Sequence, residues 1–257
     1  MTSPLPAHLA ERVRMLTDRP AAGGGSYVLY WMHHAVRGHE NPALDVAVSM
    51  GNRLGAPVLV YQGLGGPHRY NADRHHTFIM QGARDVQHEL DERGITYAFH
   101  LGRDPDATTP LHVLADAATL VVTEDFPAPP FPEWTRRLAR SVRPPVWAVD
   151  SRCIVPMQSL GKSFARAFQF RKATNHAFAE RVHRPWTPVD PESPPYDGEL
   201  DFQAIDFRTA DLAALCAACE IDHAIGPVPH TVGGSVAGYQ RWETFRQRGL
   251  KSYARLR

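Results

Sequence analysis

Tyr27-Val28-Leu29-Tyr30-Trp31-Met32 is apolar on both of its faces, and Asn41-Pro42-Ala43-Leu44 soon afterwards opens a segment of helical period. A strand without a polar face belongs in a sheet covered on both sides, and such sheets are parallel. The Asn41 side chain can cap free N–H groups, and proline at the first helical position forfeits no hydrogen bond. The unit therefore reads strand then helix, and it repeats. Further apolar runs lie at Pro57 to Gln62, Ile95 to Leu101, Thr119 to Thr123 and Val146 to Val149. Helical patterns separate them at Asn41 to Leu54, Arg74 to Arg93, Pro110 to Asp116 and Glu133 to Ser141, with Arg93-Gly94 as a stop signal. This alternation predicts an α/β fold, a five-stranded doubly wound parallel sheet with right-handed crossovers.

Ligands of such sheets sit beyond the carboxyl ends of the strands. That rule points to Trp31 to Asn41, Gly63 to Arg74, Gly102 to Thr109 and Glu124 to Pro132. After Asp150 the pattern changes to a Phe- and Arg-rich helix from about Ser163 to Arg181. Pro185, Pro188, Pro191, Pro194 and Pro195 then mark an extended linker. A short helix spans about Thr209 to Cys219, and a last one begins near Ser235. The expected organisation is an α/β domain over residues 1–184, a Pro-rich linker with a short helix over 185–234, and a further helix over 235–257.

At 257 residues, 43% hydrophobic and 21% charged, the chain can bury a substantial core. No apolar run has the roughly 18 residues of a membrane span, and no secretory leader is legible, so a cytoplasmic protein without membrane contact is expected. Three cysteines suit a reducing compartment. The net charge of +1 averages over basic stretches at Arg136 to Arg143 and Arg166 to Arg184, and so neither demands nor excludes nucleic acid.

Chemistry-bearing motifs are scarce. Gly23-Gly24-Gly25 precedes the first strand, whereas a phosphate-cradling loop must follow a strand and open a helix. Cys216 and Cys219 have metal or redox spacing, but they lie in an Ala/Leu-rich helical pattern without a second ligand pair. His33-His34 and His75-His76 are adjacent pairs whose side chains diverge, so no metal site is expected. His33 and His34 do stand at the carboxyl edge of the sheet, where an imidazole can face a ligand.

Collinear stretches across the chain resemble the photolyase/cryptochrome superfamily, and within it the class II cyclobutane pyrimidine dimer photolyases. Tyr27 to Met32, Arg37 and Glu40 to Leu44 are similar to that family's first strand and helix, Val-Tyr-Trp-Met followed by Asp-Asn-x-Ala-Leu. Arg74, Phe78 and Gly82 fit its Arg-x-x-x-Phe-Met-x-x-Gly pattern. Val121 to Phe126 resembles its fourth strand, and Val149 to Pro156 its Val-Asp-Ala-His-Asn-Val-Val-Pro. Gly233-Gly234, Ala237, Phe245, Leu250 and Tyr253 to Arg257 resemble the lead-in to its flavin domain. Two segments depart: Asp125 to Pro130 lacks the family's basic group, and Ala165 to Lys172 keeps an arginine but not the tyrosine or proline of Tyr-Ala-Ala-x-Thr-x-Arg-Pro-Lys.

The resemblance implies a Rossmann-like antenna domain holding a deazaflavin or folate pigment, with Tyr30, Trp31, Met32, Arg37 and Asn41 as its contacts. It implies Tyr253 as a flavin contact and Arg257 as a DNA contact. FAD would be held by a helical domain supplied elsewhere. The implied activity is then light-driven repair of pyrimidine dimers in damaged DNA, a carbon–carbon lyase reaction, performed only with a FAD-domain polypeptide. The terminal helix could instead join a homo-oligomer. The alternatives are a stand-alone chromophore- or nucleotide-binding sensory module, a repurposed small-ligand enzyme using His33, His34, Arg37 or Glu40, and a remnant without function.

Overall fold

The computed structural model describes residues 5–21, 24–66, 68–104 and 109–256. All five expected strands form: β2 (Val28–Trp31), β3 (Val58–Leu64), β4 (Thr96–Leu101), β5 (Leu120–Glu124) and β6 (Val146–Val149). They are mutually parallel, and a further strand, β1 (Val13–Met15), adds antiparallel to β6, giving the order β1-β6-β5-β2-β3-β4. The sheet thus has six strands where the pattern predicts five. β1 is three residues long and partly exposed, so it leaves no apolar run to read. It is fixed by its backbone ladder and by an Arg14–Asp125 ion pair at 2.6 Å.

Helices α2 (Pro42–Leu54) and α3 (Asp73–Glu92) cover one face, and α4 (Leu111–Ala117) and α5 (Phe131–Ser141) the other. Alternation along β2 supplies both layers. Val28, Tyr30 and Met32 enter the core beneath α2, and Tyr27, Leu29 and Trp31 the opposite one. Val28 and Leu29 are fully buried, and each contributes about 1.5–3 kcal/mol by leaving water. Asn41 caps α2 as expected, its Oδ1 accepting from the Ala43 and Leu44 N–H groups. Gly55, at φ 62°, stops that helix in the left-handed conformation that glycine adopts without steric cost. On α3 the buried positions His76, Met80, Ala83, Val86, Gln87 and Leu90 form one stripe.

The Pro-rich segment lies against the domain. Trp186 Nε1 and Val189 N donate to Asp45, Asn52 bonds Asp190 and Glu192, and Tyr196 meets Tyr27 edge to face at 4.8 Å. Beyond it, α7 (Leu212–Ala217) packs on α3 through Cys216, with Cys219 just past its end in the same cluster as Phe99 and Phe207. Three helices are more exposed. The 15-residue helix α6 (Ala167–Arg181) buries only Thr174. Helix α8 (Ser235–Arg248) buries no residue, and α9 (Tyr253–Leu256) follows it through a turn of 3-10 helix. The start of α8 is tied to α3, where Ser235 donates to Glu89 and the Val236 N–H to Asp85. Helix α1 (Ala7–Ala10) inserts Leu9 into the core. No described helix is long and apolar enough to cross a membrane.

Candidate functional site

The sheet reverses its winding at β2, which pairs with β3 on one side and β5 on the other. The crevice between the carboxyl ends of β2 and β5 is where such a sheet receives ligands. Glu124, the last residue of β5, is 2% exposed and organises it. Its Oε1 accepts from the Tyr30 hydroxyl at 2.8 Å and the Ala35 N–H at 2.6 Å. Its Oε2 accepts from the His33 N–H at 3.3 Å and lies 3.4 Å from His33 Nδ1. The carboxylate therefore holds the 33–35 turn. Burial, then the Glu124 charge, raise the Tyr30 phenol well above its ordinary value. Burial lowers His33, against an opposing effect of Glu124.

His33 stacks on Phe131 at 5.3 Å, and its Nε2 meets the Thr123 hydroxyl at 3.1 Å. His34 lies against Phe126 at 3.8 Å between ring centroids, and burial lowers its pKa, with Arg152 adding to the effect. Both imidazoles are packed into the aromatic wall that continues through Trp134.

On the α4/α5 side this wall borders a cavity of about 360 Å3 at the ends of β2, β3 and β4, lined by Trp31, Tyr61, His100, Leu111, Trp134 and Arg137 among others. Tyr61 is 1% exposed, its hydroxyl meets Thr109 at 3.0 Å, and burial pushes its pKa up to about 12. Burial lowers His100. The loops after β3 and β4 approach closely at the rim of the cavity. At Gly65, φ +139°, a Cβ would meet the Gly102 carbonyl oxygen at 2.7 Å. A second, more apolar cavity of about 670 Å3 lies on the α3/α8 side, with Arg37, His39, Gln62, Phe78, Tyr239 and Trp242 in its lining.

The five expected antenna contacts are thereby separated. Trp31 alone lines the strand-end cavity, while Arg37 lines the α3/α8 cavity and bonds the carbonyls of Glu40 and Ser151. Tyr30 and Met32 are fully buried beneath α2, and Asn41 is 1% exposed, occupied as the cap of α2 and by the Ala35 and Arg37 carbonyls. Tyr253 is 52% exposed, its ring edge-on to Phe245 at 5.8 Å, and Arg257 lies outside the described residues. Sequence reasoning singled out none of Tyr61, His100, Trp134 or Arg137, although it marked the loops after β3 and β4. Among the described residues no group of three or more His, Cys, Asp or Glu side chains is placed to hold a metal ion.

Residues 28–192 match the family model described as DNA photolyase, more than half of the chain. The chain belongs to that family. Its fold is the N-terminal α/β domain of the photolyase/cryptochrome superfamily. Among photolyases, the deoxyribodipyrimidine photo-lyase of Methanothermobacter thermautotrophicus is 35% identical over 150 residues, covering 58% of this chain and 33% of that protein. The deoxyribodipyrimidine photo-lyase of Arabidopsis thaliana is 23% identical over 231 residues, covering 88% of this chain and 46% of that one. The cryptochrome of Synechocystis superposes with a TM-score of 0.54 at 15% identity, over 90% of this chain and 48% of that one, a likeness of fold. The chain spans between a third and a half of the photolyases it matches.

Proposed function

We propose that this chain is the N-terminal light-harvesting half of a class II-like deoxyribodipyrimidine photolyase, acting together with a helical FAD-binding domain. The observation that carries the reading is the cavity of about 360 Å3 beside Trp31, at the strand ends of a photolyase-family domain. That volume is within the range of small-molecule sites. Its residues suit a flat, partly anionic pigment such as a deazaflavin or a folate. Trp31 and Tyr61 bring aromatic rings to its lining, Leu111 and Leu138 give apolar contact, and Arg137 and His112 bring polar groups for a charged tail. When bound, such a pigment absorbs near-UV or blue light and passes the excitation to the flavin of the complete enzyme. The chain's own part is to orient the ring and keep water from it. In the same reading Tyr253 and Arg257 contact flavin and DNA.

The test is the absorption spectrum of the purified chain with and without added deazaflavin, folate and flavin. Saturable binding of a deazaflavin or folate is expected, weakened about tenfold by Trp31→Ala through lost stacking of about 1–1.5 kcal/mol. A chain that binds neither pigment, or a Trp31→Ala variant that folds and binds as tightly, refutes the reading. Dimer repair after co-expression with a FAD-domain polypeptide separates the antenna role from that of a stand-alone sensory module.

A further inference from the structure

Five arginines, Arg12, Arg37, Arg152, Arg181 and Arg184, line one cavity of about 830 Å3 between α1, the start of α2, the turn after β6 and the end of α6. It shares no lining residue with the strand-end cavity. Two carboxylates, Glu11 and Glu40, stand in the same wall.

Most of this positive charge is oriented without being neutralised. Arg12, 8% exposed, donates through Nη1 to the carbonyls of Asp150 at 3.1 Å and Cys153 at 2.7 Å and through Nη2 to that of Ile154 at 3.5 Å, and its buried Nε has no partner. Arg37 donates to the Glu40 and Ser151 carbonyls. Arg152 reaches the His34 carbonyl at 3.4 Å and lies over the Phe126 ring. A neutral carbonyl fixes the direction of a guanidinium and leaves its charge in place. Arg181 does have a carboxylate partner, Glu11 at 2.8 Å. The carboxylate behind Arg12, that of Asp150, is engaged by the N–H groups of Arg152, Cys153 and Met157. Burial is the largest influence on Arg12 and lowers its pKa, so the folded chain holds this charge against its hydration. An anion entering the cavity would relieve that cost.

The cavity also offers a ring. Trp186 is anchored by its Nε1–H to Asp45 at 2.6 Å, with His8 edge-on at 5.5 Å and the Arg12 guanidinium 5.6 Å from its centroid. Planar guanidiniums in forked geometry match phosphate oxygens, and a rigid indole matches a base. We propose that this cavity is a second binding site, for a phosphate-bearing ligand of nucleotide size. The phosphates would meet Arg12, Arg37 and Arg184, and the ring would meet Trp186. The site does not depend on the antenna reading. The ligand could be a free nucleotide or the phosphorylated end of a nucleic acid, since the recognising chemistry is the same.

The test is isothermal titration of the full chain at low ionic strength with ADP, inorganic pyrophosphate and a 5′-phosphorylated oligothymidylate. Arg184→Glu is the variant, because Arg184 is exposed and its reversal leaves the core intact. Saturable ADP binding is expected, weakened about tenfold or more by Arg184→Glu and weakened again by salt. Pyrophosphate should raise the thermal midpoint of the native chain more than that of the variant. Binding of the oligonucleotide without ADP, still lost in Arg184→Glu, assigns the site to nucleic-acid ends. The proposal is overturned if no probe binds and no midpoint shifts, or if binding is unchanged by Arg184→Glu.

Discussion

Replacing Glu124 by glutamine changes no volume but removes a buried charge that three donors share. In the native crevice Oε1 takes the Tyr30 hydroxyl and the Ala35 N–H, and Oε2 takes the His33 N–H. The shorter pair of bonds dictates where the amide oxygen of the variant goes, so its NH2 group is left facing the His33 N–H, donor against donor. Two charge-assisted bonds become neutral ones, and one buried donor loses its acceptor. Together these changes cost about 2–4 kcal/mol. Tyr30→Phe removes one bond of the same network, and one of the acceptors of Asn41 Nδ2, at about 1–1.5 kcal/mol. Urea unfolding of the native chain, both single variants and the double variant gives the coupling directly, and about 1 kcal/mol is expected. Removing the Glu124 charge also removes the influence that raises His33, so its imidazole should titrate lower still by NMR. A Glu124→Gln variant within about 0.5 kcal/mol of native stability, where exposed substitutions fall, would refute the account of this carboxylate as the anchor of the 33–35 turn.

Asp45, 1% exposed, joins Arg93, just past the end of α3, to Trp186 and Val189 in the Pro-rich segment. Asp45→Ala strands the Trp186 and Val189 N–H donors and leaves the part-buried Arg93 without its counter-charge, which should cost about 3–5 kcal/mol, with protease cleavage appearing first between residues 185 and 195; a native digestion pattern would count against it. His76 is 1% exposed, and burial, its largest influence, lowers its pKa below the ordinary 6.5. The unfolded chain then binds the proton first, so this residue's contribution is complete above pH 6.5 and is lost as the pH falls toward the folded value. His76→Leu should flatten the stability profile as the pH falls below 6.5, and an unchanged slope would show that another group carries the titration.

The parallel sheet is legible because five apolar runs and their intervening helical periods agree with one another, and because Asn41-Pro42 announces a helix by a mechanism that the structure reproduces bond for bond. β1 is not legible, since three residues at an edge carry no period and are placed by partners more than 130 positions away, Val13 opposite Val149. Helix α6 is legible as a helix, but it lacks the buried stripe by which a sequence declares which face will pack. The site is harder, for a reason contained in strand geometry. Tyr30, Trp31 and Met32 are contiguous in sequence, and contiguity suggests a common surface, yet successive residues of a strand face opposite layers. Trp31 therefore belongs with Tyr61 and His100 from neighbouring strands, while Tyr30 belongs with Asn41 and Glu124 under the other layer. A period-two reading of the first strand could have made that division without coordinates. What it could not supply is the register that sets Tyr30 opposite Val122, and so brings the Glu124 carboxylate within reach of the phenol. In a parallel sheet that register depends on crossovers tens of residues long, and a ligand site at the switch point inherits the same dependence. Its strand ends can be read locally, but the residues that meet there are chosen by the packing of the whole domain.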